Sequence, residues 1–435
     1  MIIPRLALGT VQPSAQTTWL TRALMAVAER AGFRVQGFAS RSVFTPDCGA
    51  QLITGRQTRH LDSWLMDESF CRALFYDNMR SADLALVEGV YRQGQTPMDQ
   101  GPSLEQLCQW LELPQLVVLD VRNLSWCNLP RPEIGVDGVF LDGVSSVAEY
   151  ERLAVDVEYL WGAPVLGGLI GTARLDEQHG LYGEPQARRQ RLAQLADNLE
   201  RHLRWDELNA IAARPLLRQV ERLPWRRVRP GRPLQVALAF DNAIQCYFPD
   251  TLDALEVLGA ELRTFSPLAD AELPNGTDLV YIGCGKIDQY AEQLSANHCL
   301  RAALWRFAKR GGRIYAECGG AAYLCREIVL ADRSFSMLGV VPATARQNAS
   351  GLKPQPVEFR WKARTWLGNV GQTVRGYLNP NWTIIPDADV LNLADSSDSP
   401  NYLVGWRNVV LSRVHINFAT IPSLLQRWVL PANTG

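Results

Sequence analysis

Short apolar runs alternate with stretches of helical periodicity along the first 200 residues. Ile2–Leu8, Leu84–Val87, Leu116–Val121, Gly138–Leu141 and Pro164–Ile170 read as strands, and 19–31 and 103–113 read as helices. The strand runs are mostly continuous apolar stretches rather than alternating. That is the signature of parallel strands covered on both faces, so the pattern predicts an α/β sheet. A helix over 192–213 is followed by Arg214 to Pro233, a stretch rich in Pro and Arg that reads as a solvated linker. A second α/β pattern then begins. Strands are expected at 234–240, 278–283 and 313–316, and helices at 249–258, 291–309 and 319–328. No repeat and no low-complexity segment interrupts the chain.

The chain has 435 residues, which suits two or three domains. It carries 44 basic and 45 acidic residues, for a net charge of −1. That balance gives no reason to expect nucleic acid or a membrane surface as a partner. No apolar run approaches the roughly 20 residues of a membrane-spanning helix, and Pro4 and Arg5 interrupt any secretory signal core. The nine Cys are scattered without CxxC pairs, which points to a reducing cytoplasm rather than a disulfide framework. Only four Lys occur, and the first of them is Lys286. Nothing before residue 286 can therefore carry chemistry that needs an ammonium group.

Candidate chemistry is clearest at Arg313-Ile-Tyr-Ala-Glu-Cys-Gly-Gly-Ala-Ala. Strand, sharp turn and helix follow one another with Cys318 at the turn. Small residues after a nucleophile let the backbone bend and leave the thiol at the carboxyl end of a strand. The following helix favours the thiolate and points N–H groups at a developing oxyanion. A buried Cys at a strand end is the plainer alternative. A thiolate nucleophile usually needs a base, and the second half offers His298 and His415. His298 sits in a helix among polar neighbours and reads as a surface residue. His415 lies at a strand end, and elimination makes it the partner of Cys318.

The chain from Leu234 onward resembles the glutamine amidotransferase domain of the cobyrinic acid a,c-diamide synthase family. The resemblance is carried by Val236-Ala-Leu-Ala-Phe-Asp-Asn-Ala, by Leu258-Gly-Ala-Glu-Leu-Arg-Thr-Phe-Ser-Pro-Leu-Ala-Asp and by Tyr315-Ala-Glu-Cys-Gly-Gly. It implies a flavodoxin-like fold, with Cys318 as the glutaminase nucleophile and His415 as its histidine. It also implies glutamine as substrate and ammonia released inside the protein. Gly283, Gly285 and Gly319 fall where the family binds glutamine and its oxyanion. Two motifs depart from the family. Its Pro-Gly-Gly-Tyr-Pro-Glu turn is Gly283-Cys-Gly-Lys-Ile-Asp here, so Cys284 replaces a glycine. Its Gly-His-Glu-Phe-His motif is Gly376-Tyr-Leu-Asn-Pro.

The first half resembles the same family's P-loop synthetase domain, which is related to dethiobiotin synthetase. Gly9-Thr-Val-Gln-Pro-Ser-Ala-Gln-Thr-Thr stands between a strand and a helix, where a P-loop belongs. The resemblance implies ATP and Mg²⁺, with Gly9, Thr10, Gln16, Thr17 and Thr18 at the nucleotide and Thr17 and Glu88 at the metal. Here, too, there are departures. Pro13 and Ala15 stand in place of glycines and Gln16 in place of the phosphate-binding lysine. Tyr91-Arg-Gln-Gly and Gln178-His-Gly-Leu are altered as well, whereas the segment from Gly55 to Met66, with Asp62 and Trp64, is well preserved.

The expected layout is a P-loop-like synthetase domain over 1–213, a linker over 214–233 and an amidotransferase-like domain over 234–435. Two functions remain open. One is glutamine-dependent amidation of a carboxylate, tetrapyrrole-like in the family. The other is a pseudoenzyme that serves as a binding or scaffold subunit. Either takes a small-molecule substrate or a protein partner, and a homodimer is compatible with both.

Overall fold

A computed structural model describes residues 3–12, 17–41, 48–91, 101–122, 134–172, 185–215, 222–227, 231–348, 353–395 and 401–429. The chain divides into two compact units, with the change of unit between Leu223 and Pro224.

The N-terminal unit is built on seven strands: β1 (Arg5–Thr10), β2 (Val35–Ala39), β3 (Arg59–His60), β4 (Leu84–Val90), β5 (Gln115–Asp120), β6 (Gly138–Val144) and β7 (Val165–Ile170). Their order across the sheet is β3-β2-β4-β1-β5-β6-β7, and every pairing is parallel. The largely apolar, buried strand interiors follow from this arrangement, since both faces are covered. Helix α1 (Thr18–Arg30) buries Trp19, Leu20, Ala23, Leu24 and Ala28 in the same core as Leu6, Leu8, Leu86, Leu116 and Phe140. Arg5 is buried in the first strand. Its guanidinium donates to the carbonyls of Leu111, Ile3 and Arg214, and burial lowers its pKa.

The strand expected at 2–8 runs from Arg5 to Thr10. Gly9 and Thr10 therefore belong to β1, paired with Gly89 and Val90 of β4, rather than to the loop that follows. A Cβ on Gly9 would stand 2.6 Å from the Tyr91 ring, so packing alone accounts for this glycine.

The C-terminal unit also has a seven-stranded sheet. Across it run Ala260–Phe265, Leu234–Ala239, Leu279–Ile282, Arg313–Glu317, Val409–Ser412, Leu403–Trp406 and Leu391–Asn392. The first five strands are parallel and the last two pair antiparallel. Two four-stranded sheets are added between residues 327 and 415. In one of them the strand Gln355–Trp361 alternates strictly from Val357 onward, with Val357, Phe359 and Trp361 buried and Glu358 and Arg360 exposed. This period-2 run marks a strand with one wet face.

Three helices are shorter than the sequence pattern predicts. The segment expected as one helix over 291–309 breaks at Asn297, whose side chain accepts from the Leu300 N–H at 3.2 Å and caps the second piece, His298–Lys309. His298 is exposed there. The helix after Cys318 ends at Leu324, and the chain turns back as the strand Glu327–Val329. The 192–213 pattern resolves into Pro185–Glu200 and Trp205–Ala212. The arginines of the linker behave as solvated side chains. Arg226 and Arg227 are exposed, Arg232 pairs with Asp278 at 3.0 Å on the surface, and Arg229 lies outside the described residues. No helix among the described residues is long and apolar enough to cross a membrane.

Phe140 is fully buried at the centre of the N-terminal core. Phe140→Ala is expected to cost about 3–5 kcal/mol of stability, read as a lower denaturant midpoint in urea unfolding of the full chain.

Candidate active site

The Arg313–Glu317 strand ends in a sharp turn. Cys318 adopts φ 54° and ψ −116°, and the helix Gly319–Leu324 begins at the next residue. A positive φ is costly for a residue with a Cβ. The turn is held by the Cys318 N–H, which donates to the Ser412 carbonyl at 2.7 Å. Space forces the two glycines that follow. A Cβ on Gly319 would meet the Gly285 carbonyl at 2.7 Å, and one on Gly320 the Gly283 carbonyl at 2.6 Å. The 283–285 segment and the turn thus touch backbone to backbone, which brings Gly283, Gly285 and Gly319 around Cys318. Two nearby amides are already engaged. The Gly283 N–H donates to the Tyr247 hydroxyl at 3.0 Å, and the Gly320 N–H donates to the Gly283 carbonyl at 3.2 Å.

His415 sits in the short strand Val414–His415, which pairs with Tyr377 and Leu378. The altered motif at Gly376 therefore runs beside it, and a Cβ on Gly376 would come within 2.6 Å of the His415 carbonyl. The imidazole is 1% exposed and stacks on Phe248 with ring centroids 4.2 Å apart. Its Nδ1 lies 3.2 Å from Glu317 Oε2. Glu317 also accepts from the Tyr281 hydroxyl at 2.7 Å, the Tyr315 hydroxyl at 3.3 Å and the Ile416 N–H at 3.1 Å. Burial opposes charging of His415, but the Glu317 carboxylate outweighs it. The ring is held well above its ordinary pKa. Sequence reasoning missed Glu317, although it immediately precedes the nucleophile. Strand alternation sends its side chain to the side of the sheet opposite its neighbours, and adjacency alone does not show which histidine that side reaches.

Three sulfurs meet at this ring. Cys284 Sγ is 3.5 Å from His415 Nδ1, and Cys246 Sγ is 4.0 Å from Nε2. The ligand atoms of Cys284, Cys318 and His415 all lie within 4.8 Å of one another. The Cys246, Cys284 and Cys318 side chains form one buried cluster. Burial pushes the Cys284 pKa well up, while the bond from Cys284, with help from His415, lowers that of Cys246. Cys325, a few residues beyond the turn, is buried in apolar surroundings that push its thiol up to about 12.

In the N-terminal unit the structure brings Thr17, Thr18 and Glu88 together. Both threonine hydroxyls donate to Glu88 Oε1 at 2.8 Å, and Arg22 pairs with Glu88 Oε2 at 2.9 Å. Gln16, Pro13 and Ala15 lie outside the described residues. Gly9 and Thr10 end β1. The described residues do not fit the Mg²⁺–ATP site that the resemblance implies. The carboxylate meant for a cation is already neutralised by Arg22, and no lysine stands anywhere before residue 286.

Residues 235–379 match the CobB/CobQ-like glutamine amidotransferase domain family. The match takes in the 283–285 segment and Cys318 and stops short of His415. The cobyrinate a,c-diamide synthase of Syntrophotalea carbinolica is 31% identical over 87% of this chain and 85% of its own length. The chain belongs to the cobyrinate a,c-diamide synthase family. The family member from Salmonella typhimurium is 28% identical over 98% of this chain and 97% of its own length. A crystal structure of a glutamine amidotransferase aligns at 20% identity with a TM-score of 0.35, over 44% of this chain and 98% of that one. Family membership and the amidotransferase domain assign the chain to glutamine-dependent amidation, and the family implies use of glutamine and ATP.

The turn at Cys318 generates a direct test of strain. In ordinary positions glycine is about 0.5–1 kcal/mol less stable than alanine. Here the order is expected to invert. Cys318→Gly should melt at or above Cys318→Ala, because only glycine occupies this backbone conformation without cost. A Gly variant clearly less stable than the Ala variant in the same thermal scan overturns the strained-turn account.

Proposed function

We propose that this chain is a glutamine-dependent amidoligase of tetrapyrrole carboxylates, with Cys318 as the nucleophile, His415 as its acid–base partner and Glu317 as the residue that orients the imidazole. The observation that carries the reading is the buried convergence of all three at one strand end. The substrate class comes from the relatives, which are named for cobyrinate.

On this reading the Cys318 sulfur, its proton passed to His415, attacks the amide carbon of glutamine, and the carbonyl π electrons move to oxygen. Backbone N–H groups of Gly285 and Gly319 stabilise that oxyanion. The C–N bond breaks as His415 delivers a proton to the leaving nitrogen, giving ammonia and a thioester on Cys318. Water then attacks the thioester, releases glutamate and regenerates the thiol. Glu317 holds the ring in place throughout and keeps its own oxygens supplied by Tyr281, Tyr315 and Ile416. The ammonia becomes the amide nitrogen of the acceptor.

The synthetase half carries a second inference: the isolated chain binds ATP–Mg²⁺ weakly. Pro13, Ala15 and Gln16 replace two glycines and a lysine, and Arg22 sits on the carboxylate. Losing a charge-assisted phosphate contact removes about 1.5–3 kcal/mol, roughly tenfold to a hundredfold in affinity.

Two measurements test these readings. A glutamine-analogue electrophile should label Cys318 faster than Cys325 in mass-spectrometric footprinting. His415→Ala and Glu317→Gln should each slow labelling and glutamine hydrolysis by about a hundredfold or more, while His298→Ala leaves both unchanged. Equal labelling of Cys318 and Cys325 rejects the assigned nucleophile. In calorimetry ATP–Mg²⁺ should bind no tighter than high micromolar, and Gln16→Lys alone should not restore ATP hydrolysis, because Pro13 still cannot donate an N–H. Low-micromolar binding by the unaltered chain rejects the weakened-loop reading.

A further inference from the structure

Cys284 has no part in the reaction just described, yet it is the sulfur nearest His415. It stands where the family has a glycine. A thiol placed there, fully buried against two further thiols and an imidazole, forms a set of soft donors on three separate segments of the chain. The donors are Cys284 beside the close-packed glycines, Cys318 on the turn and His415 on the 414–415 strand.

The spacing suits a tetrahedral ion. Zn²⁺ takes thiolate sulfur at about 2.3 Å and imidazole nitrogen at about 2.0–2.1 Å, which sets a sulfur and a nitrogen ligand about 3.5 Å apart. Cys284 Sγ and His415 Nδ1 are 3.5 Å apart already. Cys318 Sγ lies within 4.8 Å of Cys284 Sγ and of a His415 ring nitrogen, so closure needs only a small side-chain adjustment.

The neighbours tolerate the change. Ligation through Nδ1 removes one of the bonds to Glu317, but that carboxylate keeps Tyr281, Tyr315 and the Ile416 N–H. The ring proton then sits on Nε2, facing Cys246 Sγ at 4.0 Å. Two thiolates offset the charge of a divalent cation, and the Glu317 carboxylate beside the ring adds a further negative charge that favours holding it. That is the condition under which an ion is stable in a site this dry.

We propose that Cys284, Cys318 and His415 form a binding site for a thiophilic divalent cation of the Zn²⁺ type, and that its occupancy silences Cys318. Binding forms two metal–sulfur bonds and one metal–nitrogen bond and releases the thiol protons of Cys284 and Cys318 together with the Nδ1 proton of His415. The silencing rests on the glutaminase reading above; the binding does not. An ion held by the nucleophile and its partner histidine excludes glutamine attack for as long as it stays.

The full chain, stripped by a chelator under reducing conditions, is titrated with Co²⁺ and then with Zn²⁺. The expected result is about one ion per chain, with a thiolate-to-cobalt charge-transfer band that Zn²⁺ abolishes by displacement. Cys284→Gly, which restores the family's residue, and His415→Gln should each remove the band, with circular dichroism confirming that both are folded. Cys325→Ser should keep it. In the unaltered protein Zn²⁺ should protect Cys318 from iodoacetamide at least tenfold and leave the exposed Cys299 unprotected, and EDTA should reverse the effect. Absence of the band, or an undiminished band in Cys284→Gly, overturns the proposal. Failure of the metal-free protein to label with a glutamine analogue would instead reject the glutaminase reading and leave the metal site standing.

Discussion

The C-terminal unit is organised around one buried carboxylate. Glu317 is fully shielded from solvent and gathers two tyrosine hydroxyls, one backbone amide and the His415 ring. A charge in so dry a place is tolerable only when its oxygens are fully supplied. The supply comes from two neighbouring parallel strands and the 414–416 segment, so the carboxylate ties the sheet to the element that bears the histidine. It also fixes which way the next residue faces. With Glu317 pointing at the ring, the chain must turn at Cys318 to begin the helix, and the thiol emerges on the same end of the sheet.

The legible parts of the site were those with a local signature. Cys318 announces itself through the run of small residues after it, and His415 follows from the scarcity of histidine. Glu317 and Cys246 were not legible. Their roles depend on which strands become neighbours, and nothing in a strand's own sequence says which side of a distant ring it will touch. The sheet order of the N-terminal unit was legible as a class, because fully covered parallel strands have no polar face. The small sheets after residue 327 were missed, although Val357 to Trp361 alternates cleanly. Helix ends were misjudged where a single side chain decides the break, as Asn297 does.

The N-terminal unit shows a familiar layout with a different electrostatic balance. Thr17 and Thr18 face Glu88 as a hydroxyl pair facing a carboxylate would around a cation. Arg22, one turn into α1, supplies the positive charge instead. A guanidinium is fixed to the chain and cannot leave with a product, so the carboxylate here serves to anchor the start of α1 to β4.

The sealing of His415 by Phe248 has a consequence for the product. On the proposed reading, an imidazole that is 1% exposed and covered by an aromatic face carries one proton to the leaving nitrogen in each turnover. One proton converts the departing amide nitrogen into NH₃ with its lone pair intact. The product of that step is then in the form that can act as a nucleophile.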